Sequence, residues 1–114
     1  MPKNQAAITD NFFKQASSTP LELLRDVFEL SRVNNGDGDH HGMIDEDPTL
    51  SRFVQRIATA AYKMTDADFA TLREKFSEDQ IYEILWASIL GAANGRYNLA
   101  MRSLEEADRA AKND

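Results

Sequence analysis

Apolar side chains recur along this chain at intervals of three and four, and no alternating stretch is long enough to predict a strand. Leu21, Leu24, Val27, Phe28 and Leu30 form a broad apolar face. Thr19, Pro20 and Glu22 precede it as a capping box with proline at the first helical position, so a helix is predicted to open there. Leu50, Phe53, Val54, Ile57, Ala61 and Met64 make a second stripe, predicted to run to about residue 64 behind Asp47 as N-cap and Pro48 at N1. Thr65 opens a short helix whose inward residues are Phe69, Leu72 and Phe76. Ser77 with Gln80 starts the longest helix. Along it Ile81, Ile84, Leu85, Ile89, Ala92 or Ala93, Tyr97, Met101 and Leu104 hold helical spacing. From about residue 105 the segment EEADRAAKND turns polar and is expected to fray. A short first helix carrying Phe12 and Phe13 is expected to open at Thr9 or Asp10 and close at SSTP. The prediction is one all-α domain over residues 1–114, of about five helices and without internal repeats.

On the last helix Ala87, Gly91 and Gly95 recur every four residues, leaving one face nearly without side chains. Glycine inside a helix costs about 1 kcal/mol relative to alanine. Two of them imply close approach of another helix, either within the chain or across a subunit interface. Charged residues flank the segment on both sides, so the spacing does not mark a membrane helix. Trp86, Tyr62, Tyr82 and Tyr97 lie near apolar stripes and are expected in the core or at an interface.

A chain of 114 residues can bury about two thirds of its unfolded surface, enough for a core without staples. It contains no cysteine, which excludes disulfides, thiolate metal sites and thiol chemistry. Thirteen basic against nineteen acidic residues leave a net charge of -6, the wrong sign for nucleic acid or an anionic membrane surface. The N-terminus has no apolar leader, and the most apolar run, Ile84 to Ala93, is too short to span a bilayer. A cytoplasmic protein is expected.

The stretch NNGDGDHHGMIDEDP, residues 34–48, holds the only concentration of metal-ligand chemistry. Read as a calcium loop from Asp37, it places Asp39, His41, Gly42 and Asp45 at loop positions, but His41 is a poor ligand for a hard cation and Pro48 stands where a bidentate carboxylate is required; a register from Val33 needs four inserted residues and puts valine on a ligand position. Adjacent His40 and His41 point apart on an extended backbone and do not form a same-face pair. Asp37, Asp39, His40, His41 and Asp45 are thus weak candidates for a loosely held ion. The expected role of the 34–47 loop is turn chemistry, with no metal and no cofactor. No serine has a histidine and acid partner at recognisable spacing, and no glycine-rich phosphate loop is present. Arg52, Arg56 and Lys63 share one helix face, expected to be solvated.

The run DPTLSRFVQRIATAAYKMTDADFATLREKFSEDQIYEILWASILGAANGRYNLAMRSL, residues 47–104, resembles the C-terminal half of the alkylhydroperoxidase D-like, or carboxymuconolactone decarboxylase-like, family. Residues 66–73 and 76–81 match most closely, with Asn94 and Arg96 near that family's asparagine–arginine segment. The resemblance implies an alkylhydroperoxidase D-like helical fold and oligomers built through helices. It implies no thiol peroxidase here, since that branch needs a cysteine pair, and His40 and His41 do not stand in the catalytic histidine's place. The function expected is a noncatalytic, self-associating helical module, a homodimer or larger. The alternatives are a cofactor-free lyase or isomerase on a small carboxylic acid or lactone, with its pocket beside the last helix, and weak calcium or metal binding by the 34–47 loop.

Overall fold

The computed structural model describes residues 3–35 and 47–112. Among them are five α-helices and no strand: α1 (Lys3–Gln15), α2 (Leu21–Val33), α3 (Pro48–Ala60), α4 (Asp66–Arg73) and α5 (Glu78–Lys112). Three of the boundaries follow the capping chemistry of the sequence. The Asp47 carboxylate accepts the Leu50 amide at 3.2 Å, opening α3. Thr65 and Asp68 frame α4, the Asp68 carboxylate accepting the Thr65 amide at 2.9 Å. Ser77 and Gln80 exchange bonds of 2.9 and 3.2 Å to open α5.

Four expectations are corrected. Helix α1 opens at Lys3 rather than at Thr9 or Asp10. Helix α2 opens one residue late, with Pro20 as N-cap and no side chain capping it. The buried Thr19 hydroxyl has no hydrogen-bond partner among the described residues, so the Thr19–Glu22 box does not form. Helix α3 stops at Ala60, where φ and ψ of −153° and 53° leave the helical region, and Ala61–Lys63 form a single 3-10 turn. The polar segment from about residue 105 is helical through Lys112 and rich in strong helix formers.

Helices α2 and α5 form the central pair. Ser31 and Phe28 lie against Ser88 and Gly91, and Arg32 and Asn35 against Gly95 and Arg96. Residue numbers rise together on the two helices, so they run parallel. Helix α3 runs the same way, with Asp47 near Lys75 at one end and Ala58 near Asn35 and Arg96 at the other. Helix α4 returns against α3, with Asp68 bonded to Arg56 and Phe69 edge-on to Phe53, so residue numbers rise on one helix as they fall on the other. The core between them is Leu24, Val27, Leu30, Leu50, Phe53, Val54, Ile57, Leu72, Ile81, Ile84 and Ala87. Helix α1 adds Phe12 and Phe13, the latter packed edge-on to Phe28 at 5.7 Å between centroids.

Candidate functional site: the outer face of the long helix

Helix α5 has two apolar faces. The inner one is the small-residue row. A Cβ on Gly91 would overlap the Phe28 carbonyl oxygen and stand 3.0 Å from the Ser31 Cβ. One on Gly95 would overlap the Arg32 carbonyl oxygen and stand 3.0 Å from the Asn35 Cβ. Backbone therefore meets backbone, and the position admits nothing larger than glycine. Buried Ala87 completes the row. The Ser31 hydroxyl donates to the Ser88 carbonyl at 2.5 Å, and the Ser88 hydroxyl to the Ile84 carbonyl at 2.8 Å, so polar groups enclosed by this contact are satisfied. Gly91 and Gly95 thus face α2 of the same chain, and Ala87 is buried in the core.

The outer face lies on the far side of the helix, where Ile89 and Ala93 border a groove with Ile57, Ala61 and Tyr62 and most of the strip is exposed among the described residues. Trp86, Leu90, Ala93, Tyr97, Ala100, Leu104, Ala107 and Ala111 follow one another in unbroken steps of four and three. Leu90 and Tyr97 are half-buried and the other six are exposed. Tyr82 and Ile89 widen the strip. Trp86 is 53% exposed, Tyr82 58%, Ile89 41% and Leu104 57%. Ile89 and Leu104, which hold the helical spacing, are therefore exposed, and Trp86, Tyr82 and Tyr62, expected in the core or at an interface, lie outside the core. Spacing alone merges both faces into one stripe because a helix apolar on opposite sides satisfies a 3.6-residue period twice. The uninterrupted four–three spacing is the signal that marks the second face.

Beyond the bundle the two faces part company. From Ala100 to Lys112 every residue but Met101 is exposed, and the side continuing the α2 contact becomes Arg102, Glu105, Glu106 and Arg109. The outer strip stays apolar to Ala111. At 35 residues the helix is about 52 Å long, nearly the 58 Å longest dimension of the molecule.

A groove of about 420 Å³ borders the strip, lined by Ile57, Ala61, Tyr62, Ile89, Ala93 and Arg96. Arg96 is held in place, its Nε donating to Asn35 Oδ1 at 2.9 Å and a terminal nitrogen to the Ala58 carbonyl at 3.0 Å. A smaller cleft of about 250 Å³ opens between Phe69, Arg73, Ile81, Tyr82 and Leu85. Both clefts are mainly apolar, and the smaller is also lined by Glu78.

Two carboxylates have displaced acidities, and both are structural. Burial alone would raise Glu83, but donors at Thr19, Ser17 and Ser18 outweigh it and hold the group below its ordinary value. The Ser17 and Thr19 amides reach Glu83 at 2.9 and 2.8 Å. A residue of α5 thus satisfies the chain entering α2, which the Thr19–Glu22 box was expected to do locally. Asp68 is lowered chiefly by the Thr65 amide, against some desolvation, with help from the Thr65 hydroxyl and Arg56. Arg56 donates to both Asp68 oxygens at 3.0 Å, so it is not part of a solvated row. Arg52 remains exposed, and Lys63 sits over the Tyr62 ring at 5.7 Å.

The candidate ligands Asp37, Asp39, His40, His41 and Asp45 lie outside the described residues. Among the described residues no group of three or more histidines and carboxylates is placed to hold a metal. No helix there is long and apolar enough to cross a membrane. No family model, curated protein or solved structure matches the chain.

Proposed function

We propose that this chain is a noncatalytic, self-associating helical module whose association surface is the outer face of α5. The observation that carries this reading is the apolar strip from Trp86 to Ala111, which lies opposite the α2 contact and continues where the helix has left its own bundle. An isolated projecting helix gains nothing from keeping one face apolar while the other becomes charged, unless that face is covered. The area is sufficient. Aromatic side chains bury about 150–250 Å² each, so the exposed parts of Trp86, Tyr82 and Tyr62 offer on the order of 400 Å². Ile89, Leu104 and the alanines extend this toward the roughly 800 Å² per partner of a standard interface.

Sedimentation at micromolar concentration tests the proposal. A dimer or larger species is expected, and Leu104→Glu should dissociate it while the helical circular dichroism signal stays unchanged. A monomer at high micromolar concentration overturns the reading. A cofactor-free lyase or isomerase would use one of the two clefts beside α5; in the Tyr62–Arg96 groove the guanidinium is already engaged by Asn35 and Ala58.

A further inference from the structure

Resting on the self-association reading, we infer that the partner is a second copy of this chain whose α5 runs antiparallel, with the two-fold axis between Asn98 and Leu99. Side-chain volumes along the strip select this register. In it Trp86 faces Ala111 of the second copy, Leu90 faces Ala107, Ala93 faces Leu104 and Tyr97 faces Ala100. Every bulky residue of the strip meets an alanine, and the pattern repeats by symmetry over about 38 Å of helix. Interdigitated large and small side chains let two helices close without voids. The parallel, in-register pairing does the reverse. It sets Trp86 on Trp86, Leu90 on Leu90 and Tyr97 on Tyr97, with alanine on alanine between them, so the wide layers hold the narrow ones apart.

The antiparallel arrangement also uses the shape of the molecule. Each projecting C-terminal segment lies along the other copy's bundle, where Leu104 comes to Ala93 beside the groove bordered by Tyr62 and Ile89. The charged residues Arg102, Glu105, Glu106 and Arg109 stay on the side away from the contact, in water. Arg96 falls near Ser103 of the second copy, and no like charges are brought together along the strip.

The chain has no cysteine, so one introduced thiol gives one spin label per copy. Leu99 and Arg109 are exposed positions off the proposed contact line. Pulsed electron paramagnetic resonance on Arg109→Cys should give an inter-copy separation of at least about 32 Å along the axis, from 1.5 Å per residue on either side of the two-fold. Leu99→Cys should give a short distance, near the helix spacing of about 8–10 Å plus the label arms. A dimer with equally short distances at both positions overturns the antiparallel register while leaving self-association standing. A monomeric labelled protein, matched by a monomeric parent in sedimentation, overturns both. A dimer that survives Leu104→Glu places the interface elsewhere and also overturns the inference.

Discussion

Replacing Gly91 by alanine sets helix propensity against packing at a site where the structure fixes both. Alanine is favoured over glycine in a helix interior by about 1 kcal/mol. Opposing this, its Cβ would fall inside the Phe28 carbonyl oxygen and 3.0 Å from both the carbonyl carbon behind it and the Ser31 Cβ. The obstacle is backbone of α2, held by the helix's own hydrogen bonds, and no rotamer change relieves it. The α2–α5 pair must separate, which also loosens Leu24, Val27 and Ile84, all fully buried. Overpacking of this kind costs about 1–3 kcal/mol, and a rigid neighbour places it in the upper part of that range. The net expectation is a loss of roughly 1–2 kcal/mol. For a domain near 100 residues that is a drop in Tm of roughly 4–10 °C. Thermal and urea unfolding of Gly91→Ala against the parent measure it, with sedimentation run alongside. Because the contact is internal, association should not change at concentrations where both proteins are folded. An unchanged or raised Tm would refute the close contact and show that helix propensity outweighs any clash at this position.

Gly95→Leu should lower Tm further than Gly91→Ala, again without shifting the association constant of the folded protein, as paired melting and light-scattering measurements would show. Glu83→Gln should destabilise by about 1–2 kcal/mol at pH 7, since hydrogen bonds to a charged acceptor are each worth about 1.5–3 kcal/mol and this one is partly exposed. The folded carboxyl lies below its ordinary 4.5, so its contribution is complete above that value and is lost as pH falls through the lower folded value. The Tm difference between parent and variant should therefore shrink on acidification below about pH 4.5, and a constant gap would contradict it. Calorimetry with calcium should show no micromolar site, because no register of the 34–48 stretch supplies a complete shell. A thermal-shift screen of small carboxylic acids and lactones should be silent; a ligand at one hundred times its dissociation constant would add about 2.7 kcal/mol and favour the enzyme reading.

What the sequence by itself determined is what short-range physics controls. The spacing of Leu50, Phe53, Val54 and Ile57, the Asp47–Pro48 start and the Ser77–Gln80 box each act within a turn or two of chain. They specify helices α3 and α5 and the buried side of α3 without reference to any distant residue. Composition likewise excludes thiol chemistry whatever the fold. Tertiary structure decided the rest, because each remaining question concerned which neighbour arrives. The Thr19–Glu22 box was locally sound but lost to Glu83, 64 residues away, whose carboxylate reaches the amides of Ser17, Ser18 and Thr19 together. The glycine row announced a close contact but not its partner, which the parallel packing of α2 and α5 supplied. The outer strip from Trp86 to Ala111 was written in the sequence at unbroken four–three spacing. Only the placement of α2 on the opposite side showed which apolar face of α5 the chain buries for itself and which stays largely exposed among the described residues.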